Sequence, residues 1–200
     1  MRSRRVVRMN RRLAIKFRRI RDVNRVSTSG ILMIGAASSA VVSLVFHFAR
    51  MLGWTKLNIE LLLGSLFTAE IGPKTWWVGF AALLAVGAAA SLAYGFIFRS
   101  ARRSGAGVGV NLSLFHWGLS GIAVGILPAF HPLVAERLPA PGFYMLGEGL
   151  HEGLAFFAAH LLFGGMVGSL FDLAAIRDEY PESIASARPV DAGHARVHHQ

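Results

Sequence analysis

"TWWVGFAALLAVGAAASLAYGFIF", Thr75 to Phe98, contains no charged residue. As a helix, at ~1.5 Å per residue, it is long enough to cross the ~30 Å hydrocarbon core of a bilayer. A lone segment in lipid must satisfy its own backbone hydrogen bonds, and the helix is the form that does so. Three more apolar segments flank it: Gly30 to Met51, Val110 to Val134 and Gly153 to Ile176. Together they predict an all-α, polytopic membrane protein with four transmembrane helices. Their glycines and Pro128, a kink candidate, agree with this, because both residue types are commoner in membrane helices than in soluble ones.

Composition points the same way. Hydrophobic residues make up 54% of the 200 and charged residues only 16%, against about 25% charged in soluble domains. There are no cysteines, which excludes disulfides, thiolate metal sites and cysteine nucleophiles. The net charge of +10 belongs to an arm: residues 1–25 hold 11 Arg and Lys against the single acid Asp22. Acids and bases balance in the rest of the chain.

Arginine and lysine also set the topology. The N-terminal arm is basic, and "RSARRSGAGVG" between the second and third segments carries Arg99, Arg102 and Arg103 with no acid. The other two loops hold only Arg50, Lys56, Lys74 and Arg137. The positive-inside rule therefore places both termini in the cytoplasm of a bacterial inner membrane. Trp54, Trp76 and Trp77 fall at the predicted outer boundary, as an aromatic belt does. Residues 1–28 form a basic cytoplasmic arm, 29–177 the four-helix transmembrane domain, and 178–200 a polar, Pro-containing tail expected to be disordered. In the first outer loop "LNIELLLGSLFT", Leu57 to Thr68, is too short to span and reads as an interfacial or re-entrant helix. The second outer loop, with Pro139, Pro141 and Gly142, reads as turn.

Within the arm, Leu13, Phe17 and Ile20 are spaced i, i+4, i+7, while Arg11, Arg12, Lys16, Arg18 and Arg19 occupy the other faces. This is a basic amphipathic helix pattern. At about 1 kcal/mol per base near anionic lipid, it predicts an arm lying on the inner membrane surface. Binding of RNA or of a partner's acidic patch is the lesser reading of the same charge. "SRRVVR", Ser3 to Arg8, lacks an apolar core close behind it and is not read as a twin-arginine signal.

An internal repeat is visible. Gly87, Ser91 and Tyr94 in the second segment keep the spacing of Gly164, Gly168 and Phe171 in the fourth. The first and third segments both carry Phe-His near their outer ends, Phe46-His47 and Phe130-His131. Two parallel helix hairpins related by an axis along the membrane normal would produce this.

"LNIELLLGSLFT", "WWVGF" and the late "HLLFGGMVGSLF" resemble a group of small, uncharacterised four-helix bacterial inner-membrane proteins. These are similar in their short apolar loop segment and in a last helix reading His-x-x-x-Gly-x-x-x-Gly, here His160, Gly164 and Gly168. The resemblance spans about residues 30–175 and implies the four-helix architecture. A second histidine on the second helix would be implied too, but Leu83 stands there. The group brings no established activity with it.

Three constellations bear on function. The first is polar and outer: His47, His131, Glu148, His151 and Glu152, with Glu60 and Glu70 on the same side. Glu148 and His151 have the Glu-x-x-His spacing that puts two ligands on one helical face. Imidazole with carboxylate suits zinc, manganese or iron, so His47, His131, Glu148 and His151 form a candidate metal set. The alternative is that these groups reach to water and pair with Arg50 or Arg137. The second is haem. His116 reads as about 9 Å from the inner end of its helix and His160 as about seven residues from the outer end of its own. That puts them about 10 Å apart in depth, so His47 and His131 are the better-matched pair. The third is a set of small-residue seams, Gly118, Gly121 and Gly125 on one helix and Gly164 and Gly168 on another. Such seams let backbones approach closely, and His160 reads as a polar contact within one of them. No nucleophile–base pair, phosphate loop or paired acids can be assembled, so the chain reads as non-enzymatic. It is expected to be a structural or accessory protein acting through helix packing, with a homo-oligomer or another membrane protein as partner. A metal- or haem-binding protein and a small transporter centred on His160 are the alternatives.

Overall fold

The computed structural model describes residues 18–134 and 136–179. Its elements are strand β1 (Arg18–Arg21), helices α1 (Thr28–Met51), α2 (Ile59–Thr68), α3 (Pro73–Ala101), α4 (Ala106–Ile126) and α5 (Leu150–Ala175), and strand β2 (Ile176–Glu179). Four of the helices are long and apolar enough to cross a membrane; α4 counts among them with the 3-10 turn that continues it to Ala129. The chain is an all-α, four-span membrane protein.

The strands form a unit of their own. They pair antiparallel, with Arg18 opposite Glu179 and Arg19 opposite Asp178. The helical pattern expected of the arm therefore does not reach Arg18–Arg21, and the tail is extended rather than irregular as far as Glu179. The rest of the arm, including Arg11, Arg12 and Lys16, lies outside the described residues.

Residues 23–175 form the helical unit. Local sequence fixes the helix ends. Ser27 accepts from the Gly30 amide at 3.1 Å, and Asn58 from the Leu61 amide at 3.0 Å, as N-caps do. Pro73 opens α3, where its missing N–H costs nothing. The third span begins at Ala106 rather than Val110, and Pro128 sits in the closing 3-10 turn Leu127–Ala129 rather than at a kink within the helix. A proline can neither donate to the ladder nor tolerate the carbonyl four residues back, so the helix tightens and stops.

Packing inverts the soluble pattern. Val41, Leu44, Phe48, Phe96, Phe115 and Leu119 are exposed, while Ser38, Ser39, Ser43, Ser91 and Ser113 are buried. Large apolar side chains face outward and small ones meet at the seams, which is the arrangement expected when lipid is the solvent. Helices α1 and α3 form one closely packed pair and α4 and α5 another, with α2 against α3. A cluster of Tyr94, Phe98, Phe163, Val167 and Phe171 fills one part of the interior.

The two pairs repeat one contact pattern. Gly35 backs onto Gly87 and Ser91, and Gly87 onto Ser39. Gly109 likewise backs onto Gly164 and Gly168, and Gly164 onto Ser113. Ser39 lies four residues after Gly35, and Ser113 four after Gly109. The spacing seen in sequence between Gly87–Ser91 and Gly164–Gly168 is thus matched by equivalent contacts.

Candidate functional site

The first polar centre is the pair Arg50–Glu60. Glu60 stands in the first turn of α2, where a carboxylate suits the helix dipole, and Arg50 in the last turn of α1, where a cation does. Close approach carries Glu60 inward: α2 meets the start of α3 through Gly64, Thr75 and Gly79 with no room for further Cβ atoms. The Glu60 side chain is fully buried, a position that would be costly for a lone charge. Ser43 Oγ donates to one of its oxygens at 2.5 Å and Arg50 Nη1 to the other at 3.3 Å. The same Nη1 donates to the Leu57 carbonyl at 2.8 Å. Arg50 Nη2 is buried with no hydrogen-bond partner among the described residues.

The second centre is a histidine pair. The His116 and His160 rings meet edge to face, with centroids 4.9 Å apart. This overturns the depth difference read from the sequence. The physical reason is the register of α4 on α5. Gly109 sits against Gly164 and Gly168; seven residues on from Gly109 along α4 is His116, and four residues back from Gly164 along α5 is His160. His160 is also eight residues back from Gly168, and the helices are antiparallel, so the seven-residue step along α4 ends within the four-to-eight-residue step along α5 and the two rings reach about the same level. His160 Nδ1 bonds the Phe156 carbonyl at 2.8 Å, and His116 Nδ1 lies 3.4 Å from the Tyr94 hydroxyl. Phe156 and Phe163 flank the rings. Rings in direct contact leave no room between them for the plane of a haem.

Both centres border one cavity of about 260 Å³ inside the bundle, with side chains from all five helices in its walls. Most of the lining is apolar, including Val42, Leu83, Val86 and Phe163. The repeat gives this lining a simple logic. Val42 is seven residues after Gly35, as His116 is after Gly109; Leu83 is four residues before Gly87, as His160 is before Gly164. One hairpin presents two histidines to the cavity where the other presents valine and leucine.

The four candidate metal ligands are not brought together. His47 is exposed and packs its ring near Trp76 and Phe48. His131 is buried, and both its nitrogens are engaged: Nε2 with the Leu62 carbonyl at 3.0 Å, Nδ1 accepting from the amides of Leu133 and Val134 at 3.1 and 3.2 Å. Since a carbonyl only accepts, Nε2 carries the proton, and the ring stitches the 131–134 turn to α2. His151 Nε2 bonds the Trp54 carbonyl. Glu148 lies half-buried near Glu152; burial first and that like charge second push its carboxyl above its ordinary range, with Lys56 pulling it back in part. Among the described residues no three His, Asp or Glu side chains are grouped as a metal site requires.

Glu152 holds the first loop. It accepts from Thr55 Oγ1 and from the amides of Lys56 and Leu57, the last two at 2.9 and 3.1 Å. Of the seam glycines, Gly121 and Gly125 receive the rings of Tyr144 and Phe143. That seating supports Tyr144 and Met145, both at positive φ (57° and 63°) in the 3-10 segment Phe143–Glu148. Gly118 has open space where a Cβ would stand.

Sequence reasoning missed that Arg50, Glu60 and His116 share a cavity with His160. The signal available was the lone acid of "LNIELLLG" behind an Asn cap, which marks a short helix that buries a carboxylate. Comparison with family models, with curated proteins and with solved structures gave no match.

Proposed function

We propose that the protein is a multi-pass protein of the bacterial inner membrane that binds a small, mainly apolar molecule inside its bundle. The observation that carries this is the cavity itself: about 260 Å³, mostly apolar, with an Arg–Glu pair and two histidines in its walls. Ligand sites in helix bundles have this character, a hydrophobic lining with a few placed polar groups. Ionisable groups inside a membrane bundle are costly and mark functional sites by default. The same features favour the transporter reading over a purely structural role, since buried ionisable groups belong to transport pathways. Both termini are assigned to the cytoplasm on the distribution of Arg and Lys, and the basic arm to the anionic inner leaflet.

The test is native mass spectrometry on protein purified in a mild detergent. The wild type should carry a small molecule of defined mass. Ala159→Phe and Val42→Phe, which fill the cavity, should lose it while keeping helical content. A wild type with no adduct, or one carried equally by both variants, would sink this reading.

An accessory role through helix packing is the second reading, and Gly118 is the observation that favours it. Apart from its own helix, no described residue comes within 4 Å of where its Cβ would be, so a second helix could approach α4 there. Gly118→Leu should then abolish a homo- or hetero-oligomer seen by crosslinking; an unchanged pattern would remove the reading.

A further inference from the structure

The chemistry of the occupant is specified by two walls of the cavity. Arg50 is the first. Its Nη1 is spent on Leu57 and Glu60, while Nη2 is buried without a partner among the described residues. Nη2 is closed off from the cavity as well, so this wall acts on an occupant through its charge rather than through a free donor. Yet the charge of the guanidinium is already matched by Glu60, and both Glu60 oxygens have donors. A second anion would be buried uncompensated beside a neutral pair, at heavy cost. A cation could not reach the Glu60 carboxylate, which is fully buried and already bonded at both oxygens.

The histidines are the second wall. The Phe156 carbonyl can only accept, so His160 Nδ1 carries a proton, and in the neutral ring Nε2 is left as an acceptor. His116 is engaged through the same ring atom, Nδ1, by Tyr94. At His160 this wall therefore asks for a hydroxyl donor. Between the two walls the lining is aliphatic and aromatic. At about 260 Å³ the space lies just below the usual range for small-molecule pockets.

We propose that the cavity takes a neutral, ring-sized apolar molecule bearing a hydroxyl group, which donates to His160 Nε2. This rests on the reading of the cavity as a binding site. It separates the ligand from anionic amphiphiles such as fatty acids and from amines.

Three bicyclic probes of similar size test it: naphthalene, 2-naphthol and 2-naphthoate, titrated against the full chain in lipid nanodiscs and read by tryptophan fluorescence and thermal shift. 2-Naphthol should bind saturably, about fivefold tighter than naphthalene, the gain expected from one neutral hydrogen bond. 2-Naphthoate should not bind. His116→Val with His160→Leu reproduces the residues that the first hairpin uses at the equivalent places. It should bring 2-naphthol down toward the naphthalene level. Tighter binding of 2-naphthoate overturns the proposal, as does equal binding of 2-naphthol and naphthalene, or a double variant with unaltered 2-naphthol affinity. If the double variant does not fold, the wild-type ranking decides alone. Failure of all three probes while the purified protein carries an adduct overturns the ligand class and leaves the cavity reading standing; failure of both overturns both.

Discussion

Gly109 of α4 lies directly against the backbone of Gly164 of α5, with no room for a Cβ on either residue. That contact sets the register of the second hairpin and so brings His116 beside His160. Gly109→Val must push the two backbones apart. Overpacking in a close-packed interior costs about 1–3 kcal/mol, and backbone-on-backbone contact puts this case at the upper end. Thermal unfolding in detergent should show a clear drop in Tm for Gly109→Val and Gly164→Val. Gly118→Ala, where the space is open, should leave Tm unchanged. Equal effects at Gly109 and Gly118 would contradict the seam.

The four spans, the short helix after Asn58 and the paired small-residue spacings were legible because each depends on local pattern: length of an apolar run, a capping residue, or a repeat of i, i+4 glycines and serines. The site was not, because it depends on register between helices. Placing α4 at Val110 instead of Ala106, and α5 at Gly153 instead of Leu150, was enough to separate His116 from His160 on paper. Hydropathy cannot tell where Gly109 will stop against α5. His131 carried a similar ambiguity: as a residue it looked like a ligand, but the backbone of its own turn and of α2 uses both its nitrogens. Nothing in residue type reveals that.

Removing one member of the Arg50–Glu60 pair should be worse than removing both. Glu60→Leu leaves a buried guanidinium without its counter-charge, and breaking a buried pair in this way costs about 3–5 kcal/mol. Arg50→Met with Glu60→Leu leaves no buried charge and should recover most of that loss. A double-mutant cycle on detergent-solubilised protein measures it. Additive losses would show that the two side chains do not act as a pair.

Glu148 supplies a dependence on pH. Burial and the neighbouring Glu152 hold its carboxyl above the ordinary range, so the folded state binds the proton more tightly than the unfolded state does. The stabilisation is therefore full below the ordinary carboxylate value and is lost as pH rises through the raised one. Above that window the ionised group is a burden. Glu148→Gln should raise Tm at about pH 7.5 and make no difference near pH 4, close to the ordinary carboxylate value. Lower stability of the variant at neutral pH would mean that the carboxylate is favourably paired.

Orientation can be read with single cysteines, because the chain has none of its own. Ala101 ends α3 beside the arginine-rich link to α4, Leu52 follows α1, and Ala140 lies between the 3-10 turns; all three are exposed. The excess of Arg in the α3–α4 link assigns it to the cytoplasm, which puts Leu52 and Ala140 on the far side. A membrane-impermeant maleimide applied to spheroplasts should label Leu52→Cys and Ala140→Cys at once, and Ala101→Cys only after lysis. The reverse pattern would invert the topology. It would also move the Arg50 end of the cavity, which belongs to the last turn of α1, from the outer half of the bilayer to the inner. Labelling of all three positions from one side would contradict an arrangement in which α3 crosses between Leu52 and Ala101.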